Sequence, residues 1–170
     1  GYLQEKFGKK GLMILYTSPW PGQGFYTKTP VNSVAHFKGK KLRIYSTATQ
    51  QMGSMLGFNA TILPFAEIPQ AFSTGLIEAL FTSPQTGIDI QAWDNTKHFT
   101  YAGAIFSKNA VVVSKKAFNA LSKDDQMNIL AAAKKAEIRG WEMSAETTKK
   151  QIDILKKNGM SAKNAPDEVI

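Results

Sequence analysis

Apolar segments alternate with short helical segments between Gly39 and Pro84, and this alternation restricts the folds that the chain can adopt. Strands are predicted at 39–46, 60–64 and 76–82, and helices at about 49–56 and 67–73. A glycine follows each helix, and the links between the elements are short. Strand–helix–strand repetition of this kind favours right-handed crossovers. The pattern therefore predicts an α/β fold with a mixed, mostly parallel sheet and helices on both faces.

The first of these strands carries a charged residue, Arg43, where an apolar residue would be easier to bury. Leu42 and Ile44 are predicted to face one side of the strand, and Arg43 and Tyr45 the other. Ser46 then supplies a helix N-cap. A fixed guanidinium beside the free N–H groups of a helix start forms an anion site that suits a carboxylate. Spacing alone leaves open a surface arginine, or one paired with an internal acid.

Ligands in parallel sheets bind at the carboxyl ends of the strands. This rule selects Ser46, Phe65, Thr82 and Ser83 as one candidate cluster around Arg43. Two interpretations of Thr82 and Ser83 remain open at this point. Their hydroxyls either orient a carboxylate or only cap the helix that follows.

One aromatic residue outside this segment is also a candidate for the site. Trp20 lies between Pro19 and Pro21, in a loop whose prolines and glycines exclude a regular element. The stiff turn presents the indole ring, so Trp20 is predicted either to line a ligand pocket or to cover the core.

A long amphipathic helix is predicted from Ser122 to Lys157. Ser122 is its N-cap, Asp124 and Asp125 occupy its first turn, and lysines complement its negative end. The apolar positions recur at helical spacing, and no residue interrupts the helix. Its length is compatible with a brace that packs across two lobes, and with one ordinary packed helix.

Reaction chemistry finds little support in the sequence. The chain has no cysteine, which excludes disulfides, thiolate metal sites and cysteine nucleophiles. It has no nucleophile-elbow, phosphate-loop or zinc-protease motif, and its two histidines, His36 and His98, lack partners at metal-ligand spacing. No apolar run is long enough to cross a bilayer. We therefore expect a protein that is not an enzyme and that binds no metal or other cofactor.

The net charge of +8 arises from 21 lysines and arginines against 13 acidic residues. A basic balance of this size occurs in proteins that bind nucleic acid, membrane surfaces or anionic solutes. Most lysines occur as separated pairs rather than one run, a pattern typical of a solvated surface. A basic interaction module that binds nucleic acid or another polyanion is nevertheless the alternative function.

The ordered motifs of the chain resemble those of one transporter family. The matching segments are 37–44 (FKGKKLRI), 63–68 (LPFAEI), 73–79 (STGLIEA), 112–118 (VVSKKAF) and 121–126 (LSKDDQ), followed by the long helix. Together they resemble the periplasmic solute-binding subunits of tripartite ATP-independent periplasmic (TRAP) transporters, named for C4-dicarboxylate binding. The likeness covers nearly the whole chain.

The resemblance implies a fold, a function and roles for individual residues. It implies a type II periplasmic binding protein whose two α/β lobes close on a small organic acid and deliver it to a membrane permease. Arg43 matches the arginine that binds the ligand carboxylate, and Phe65 matches the pocket phenylalanine. Thr82 stands where relatives usually have asparagine, and Ser46 matches a position that can face the ligand. A periplasmic location then requires a leader that has been removed or was never included in this sequence.

Family members are considerably longer than this chain, which resembles their later portion. The predicted division is 1–29 as a first-lobe remnant with a crossing strand, 30–98 as the second lobe, 99–121 as return strands, and 122–170 as the long helix and C-terminal segment. A missing first lobe would expose apolar surface, so self-association or a domain swap is a further expectation.

Overall fold

The computed structural model describes residues 1–103 and 105–170, and Ala104, within the predicted return strands 99–121, lies outside the described residues. The chain divides into two units. The first comprises Gly1–Trp20 and Ser107–Thr147, and the second comprises Pro21–Phe106 and Thr148–Ile170. The sequence-based assignment of segments to lobes stays a prediction.

The described residues form eight strands and six α-helices. The strands are β1 (Leu12–Pro19), β2 (Gly24–Thr27), β3 (Lys41–Ile44), β4 (Asn59–Ile62), β5 (Ala79–Thr82), β6 (His98–Tyr101), β7 (Lys108–Ser114) and β8 (Ser161–Asn164). The helices are α1 (Tyr2–Gly8), α2 (Thr47–Met55), α3 (Ile68–Ser73), α4 (Pro84–Asp89), α5 (Lys115–Asn119) and α6 (Lys123–Lys157).

The second unit is built on a six-stranded sheet with the order β4-β3-β5-β2-β6-β8. The β4/β3, β3/β5 and β6/β8 pairs are parallel, whereas β2 runs antiparallel to both β5 and β6. The sheet is therefore mixed and mostly parallel, as predicted. Because β3, β4 and β5 are mutually parallel, their carboxyl ends lie at one edge of the sheet.

Each face of this sheet is covered by its own apolar core. One core includes Leu42, Ile44 and Phe81, together with the stacked and tilted rings of Phe25, Phe37 and Phe58. The other includes Leu80, Tyr26 and Phe99, which pack against α3 and the last turns of α6. The alternation of side chains along each strand separates the two cores.

The first unit contains an antiparallel two-stranded sheet, β1 with β7, whose register shifts between Ile14 and Tyr16. The Glu137 carboxylate on α6 accepts hydrogen bonds from the Thr17 backbone N–H at 3.0 Å and from the Thr17 hydroxyl at 2.8 Å. One helical turn later, Gly140 approaches Ser18 so closely that a Cβ there would lie 3.1 Å from the serine oxygen. These contacts fix β1 against α6.

Several local predictions need correction. The nearly continuous apolar run at residues 12–17 is typical of a strand buried on both faces, but β1 is only partly buried along its whole length. The sequence of residues 85–95 is typical of one continuous helix, but α4 ends at Asp89, because Gln91 adopts a left-handed backbone (φ 50°). A short 3-10 helix follows at Ala92–Asp94. Strand β8 is not predicted from the sequence. The long helix, by contrast, is confirmed at Lys123–Lys157.

Candidate ligand-binding site

Arg43 lies in the interior of the sheet, on a strand with neighbours on both sides. In the pairing register it aligns with Thr61 of β4 and Leu80 of β5. Leu42 and Ile44 are fully buried in the core on the opposite face. Only 4% of the Arg43 surface is exposed. The alternative of an arginine on a solvated edge strand therefore does not describe this residue.

The guanidinium of Arg43 has two contacts within the described residues. Its Nε donates a hydrogen bond to the Leu63 carbonyl oxygen at 3.0 Å, and its Cζ lies 5.9 Å from the centroid of the Tyr45 ring. Among residues 1–103 and 105–170, no carboxylate lies within ion-pair distance of Arg43. The described part of the chain therefore contains no internal acidic partner for Arg43.

Burial has the expected electrostatic consequence for this cation. Loss of solvation lowers the pKa of the Arg43 guanidinium below its ordinary value, and the nearby Tyr45 partly opposes this shift. An arginine stays charged even when its pKa falls somewhat. The site thus holds a positive charge that no described carboxylate balances, and such a charge favours an anionic ligand.

Thr82 is the last residue of β5, at the same sheet edge. It lies two residues after Leu80, so strand alternation places it on the face that carries Arg43. Thr82 is 5% exposed, and its hydroxyl makes no hydrogen bond to another described residue. The geometry brings Arg43 and Thr82 to one edge and one face, although their role toward a ligand stays a prediction.

The two serine candidates cap helices. The Ser46 hydroxyl accepts a hydrogen bond from the Thr49 backbone N–H at 3.3 Å and caps α2. The Ser83 hydroxyl accepts one from the Thr86 N–H at 3.1 Å and caps α4. Both hydroxyls therefore serve as N-caps at the edge where β3 and β5 end.

The aromatic candidates lie in different parts of the chain. Phe65 begins a short 3-10 helix just after β4 and is 51% exposed, so its ring is accessible from solvent. Trp20 is half-buried and belongs to the first unit, where its backbone N–H donates to the Ser107 carbonyl at 2.8 Å. The cluster described within the second unit therefore does not include Trp20, and its role as a pocket residue stays a prediction.

The structure adds one residue pair that sequence reasoning missed, Tyr45 and Gln23. The Tyr45 hydroxyl donates to Oε1 of Gln23 at 2.8 Å, and Gln23 is 2% exposed. Tyr45 also packs partly against the Phe25 core, because it lies beyond β3, where strict alternation ends. The sequence holds no signal for this contact, since it depends on the insertion of β2 beside β5.

The described residues contain no group of three or more histidine or acidic side chains that could hold a metal ion. None of their helices combines the length and the apolar character needed to cross a bilayer.

Comparison with known sequences identifies one family model along the chain. The model describes a bacterial extracellular solute-binding protein, family 7, and it matches residues 2–170. A curated relative, the 2,3-diketo-L-gulonate-binding periplasmic protein YiaO of Escherichia coli K12, is 25% identical over 135 residues. That match covers 79% of this chain and 41% of YiaO.

Solved structures extend the likeness to three dimensions. DctP7 of Bordetella pertussis, an extracytoplasmic solute receptor binding pyroglutamic acid, is 42% identical with a TM-score of 0.95, over 98% of this chain and 56% of that one. A TRAP solute-binding protein from a marine metagenome, specific for pyroglutamate, is 33% identical with a TM-score of 0.93, over 98% of this chain and 55% of that one.

The chain thus spans about half the length of the relatives that it matches. These relatives are solute-binding receptors rather than enzymes, in agreement with the sequence-based expectation. The family model covers all but the first residue, and the fold is that of TRAP solute-binding proteins. The chain belongs to the bacterial extracellular solute-binding protein family 7, the TRAP transporter family that its motifs resemble.

Proposed function

We propose that this chain is the acid-recognising part of a periplasmic receptor that captures a small organic acid and delivers it to a TRAP membrane permease. The observation that carries the proposal is the buried Arg43 guanidinium at the carboxyl edge of the parallel strands, without a carboxylate partner among the described residues. Such a group binds an acid with little loss of solvation, because folding has already removed its water.

The hydrogen bond to Leu63 determines how Arg43 presents its donors. Nε is occupied by the Leu63 carbonyl, whereas Nη1 and Nη2 make no hydrogen bond to a described residue. Two parallel N–H groups at the end of a guanidinium match the two oxygens of a carboxylate. We therefore propose an end-on, bidentate contact between the ligand carboxylate and the Nη1/Nη2 pair of Arg43.

The other candidates receive secondary roles in this proposal. The Thr82 hydroxyl supplies a second polar contact in place of the planar amide that relatives usually carry. Phe65 lines an apolar side of the ligand, whereas the role of Trp20, in the first unit, stays a prediction. Ser46 acts through the start of α2, whose backbone N–H groups it helps to orient, and Ser83 holds the corner between β5 and α4.

The relatives guide the choice of ligand. Two solved relatives at 42% and 33% identity bind pyroglutamate, a cyclic monocarboxylate that carries a lactam. One buried arginine suits a single carboxylate, so pyroglutamate is the first ligand to test. A C4-dicarboxylate such as succinate, the ligand class of the family name, is the second.

The test is isothermal titration calorimetry of the chain with pyroglutamate, its neutral carboxamide, succinate and a short single-stranded oligonucleotide. We expect saturable binding of pyroglutamate, at least tenfold tighter than binding of the carboxamide. Loss of a charged contact to a buried partner weakens binding by about 2–5 kcal/mol, so Arg43→Ala should abolish the signal.

The control variant is Arg139→Ala, because Arg139 is the other arginine of the chain and is well exposed. It should bind pyroglutamate like the wild type. Equal affinities of Arg43→Ala and the wild type would overturn the proposal. Tight, strongly salt-dependent binding of the oligonucleotide alone would favour the polyanion alternative, which the family match does not support.

Self-association remains part of the proposal. The first unit exposes several large apolar side chains of α6, with Met127, Ile138 and Trp141 each more than half exposed. Apolar surface of this kind favours contact with a second chain. Native mass spectrometry that shows a monomer at micromolar concentration would contradict the proposed self-association.

A further inference from the structure

The Tyr45 side chain connects two strands that are not neighbours. Tyr45 directly follows β3 and Gln23 directly precedes β2, and the sheet order places β5 between these strands. The hydrogen bond from the Tyr45 hydroxyl to Oε1 of Gln23, 2.8 Å long, therefore passes the end of β5, where Thr82 lies. It joins the ends of β3 and β2 at the edge that carries the candidate ligand site.

This hydrogen bond restrains the tyrosine ring. Gln23 is 2% exposed, so its side chain has little freedom to move, and the phenol oxygen is held at a fixed point. The ring in turn lies 5.9 Å from the Cζ atom of Arg43, within the range of a cation–π contact. The guanidinium is thus restrained by the Leu63 carbonyl and by the Tyr45 ring together.

We propose that Tyr45 is a positioning residue that fixes the orientation of the Arg43 guanidinium, and that its hydrogen bond to Gln23 is the means by which it does so. The inference rests on the proposed function, since it concerns the same carboxylate contact. Tyr45 itself touches the arginine, and no direct contact with the ligand is assigned to it.

The physical argument concerns rotation of the guanidinium. A single hydrogen bond through Nε fixes one point of the group, and rotation about the last side-chain bonds can still move Nη1 and Nη2. A second contact on the ring face removes that freedom before the ligand arrives. Preorganisation of this kind increases affinity because less conformational entropy is lost on binding.

The test measures selectivity for the acid over its neutral amide in three variants. Tyr45→Leu removes the ring and the hydroxyl, whereas Tyr45→Phe keeps the ring and removes only the hydroxyl. The ratio of pyroglutamate affinity to carboxamide affinity should fall about tenfold in Tyr45→Leu, the range that loss of one cation–π contact gives. It should fall severalfold in Tyr45→Phe, which keeps the ring but removes the hydrogen bond that restrains it. Tyr101→Phe is the matched control, because the Tyr101 hydroxyl makes no hydrogen bond to a described residue.

A second measurement reports on the arginine without any ligand. The chain has two arginines, so side-chain NMR of the guanidinium groups gives a buried signal from Arg43 and an exposed reference from Arg139. Rotation of the Arg43 Nη groups should be slower than that of Arg139 in the wild type and in Tyr101→Phe. In Tyr45→Phe it should be faster than in the wild type, even if Tyr45→Leu does not fold.

Two results separate the inference from the function. Unchanged acid selectivity and unchanged Arg43 rotation in Tyr45→Phe, with loss of binding in Arg43→Ala, would overturn the inference and leave the proposed function standing. A wild-type chain without preference for the acid over the carboxamide would overturn both.

Discussion

Replacement of Arg43 by methionine is expected to stabilise the chain while abolishing acid binding. Arg43 is almost completely buried and lacks a described carboxylate partner, so folding removes its hydration without an ionic replacement. Methionine is unbranched and flexible, and it can fill the space of the aliphatic part of the arginine. The variant therefore removes a desolvated charge with little change in packing.

The magnitude follows from opposing contributions. Burial of an ion has an effective cost of several kcal/mol in real proteins. The hydrogen bond to Leu63 returns about 1.5–3 kcal/mol, since one partner is charged, and the Tyr45 contact returns about 0.5–2 kcal/mol. We expect a net increase of about 1–2 kcal/mol in the free energy of unfolding, or about 3–6 °C in Tm for a chain of this size.

Urea denaturation followed by circular dichroism measures this change. The midpoint should rise without a change in the slope m, because the surface exposed on unfolding is similar. Arg139→Met is the control and should change stability by no more than about 0.5 kcal/mol, since the 3.8 Å contact of Arg139 with Glu142 is exposed to solvent. A loss of more than about 1 kcal/mol in Arg43→Met would refute the reasoning, because it would show that the folded chain already compensates the charge.

Two further predictions concern the support of the site and the first unit. Gly87→Ala should lower the free energy of unfolding by about 1–3 kcal/mol in urea melts, because a Cβ would overlap the Tyr26 hydroxyl, which donates to the Ser83 carbonyl at 3.1 Å; an unchanged midpoint would contradict this packing. The hydrogen bond from the Thr17 backbone N–H, and after it the one from the Thr17 hydroxyl, hold the pKa of Glu137 below its ordinary value. The stability that these bonds contribute is therefore fully present above the ordinary pKa of a glutamate, and it is lost as the pH falls through the lower folded-state pKa. Thermal melts between about pH 6 and 3 should show a smaller loss in Glu137→Gln than in the wild type, and equal losses would contradict the assignment.

Much of the second unit follows from local sequence. Glycine and proline stops delimit β3, β4 and β5, and the serine caps at Ser46 and Ser83 mark helix starts that the structure confirms. Once three parallel strands are predicted, the carboxyl-end rule identifies the edge that carries Arg43 and Thr82. Local signals were sufficient here because a glycine, a proline or a capping serine marks the ends of these strands and helices.

Long-range pairing was not predictable in the same way. The segment 25–27 reads as a short strand, but its sequence does not reveal that β2 lies between β5 and β6 and runs antiparallel to both. The contact between Tyr45 and Gln23 depends on that insertion, so it was missed. Strand β8 is short, polar and mostly exposed, and it therefore lacks the apolar alternation that identifies a strand.

The burial of Arg43 was also beyond the sequence. An arginine between leucine and isoleucine is compatible with a solvated strand, an internal ion pair or a ligand site, because strand alternation fixes its face but not what covers that face. The structure argues against the first two cases through the 4% exposure and the absence of a carboxylate nearby in the described residues, and the ligand site stays a prediction.

The central claim is that the Arg43 guanidinium receives the carboxylate of the ligand. Titration with pyroglutamate, followed by side-chain NMR of the two arginines, tests it most directly. The account predicts that the Arg43 Nη signals shift and their rotation slows to saturation, while the Arg139 signals stay unchanged and the neutral carboxamide produces neither effect. Saturable binding of pyroglutamate that leaves the Arg43 signals in place would contradict it.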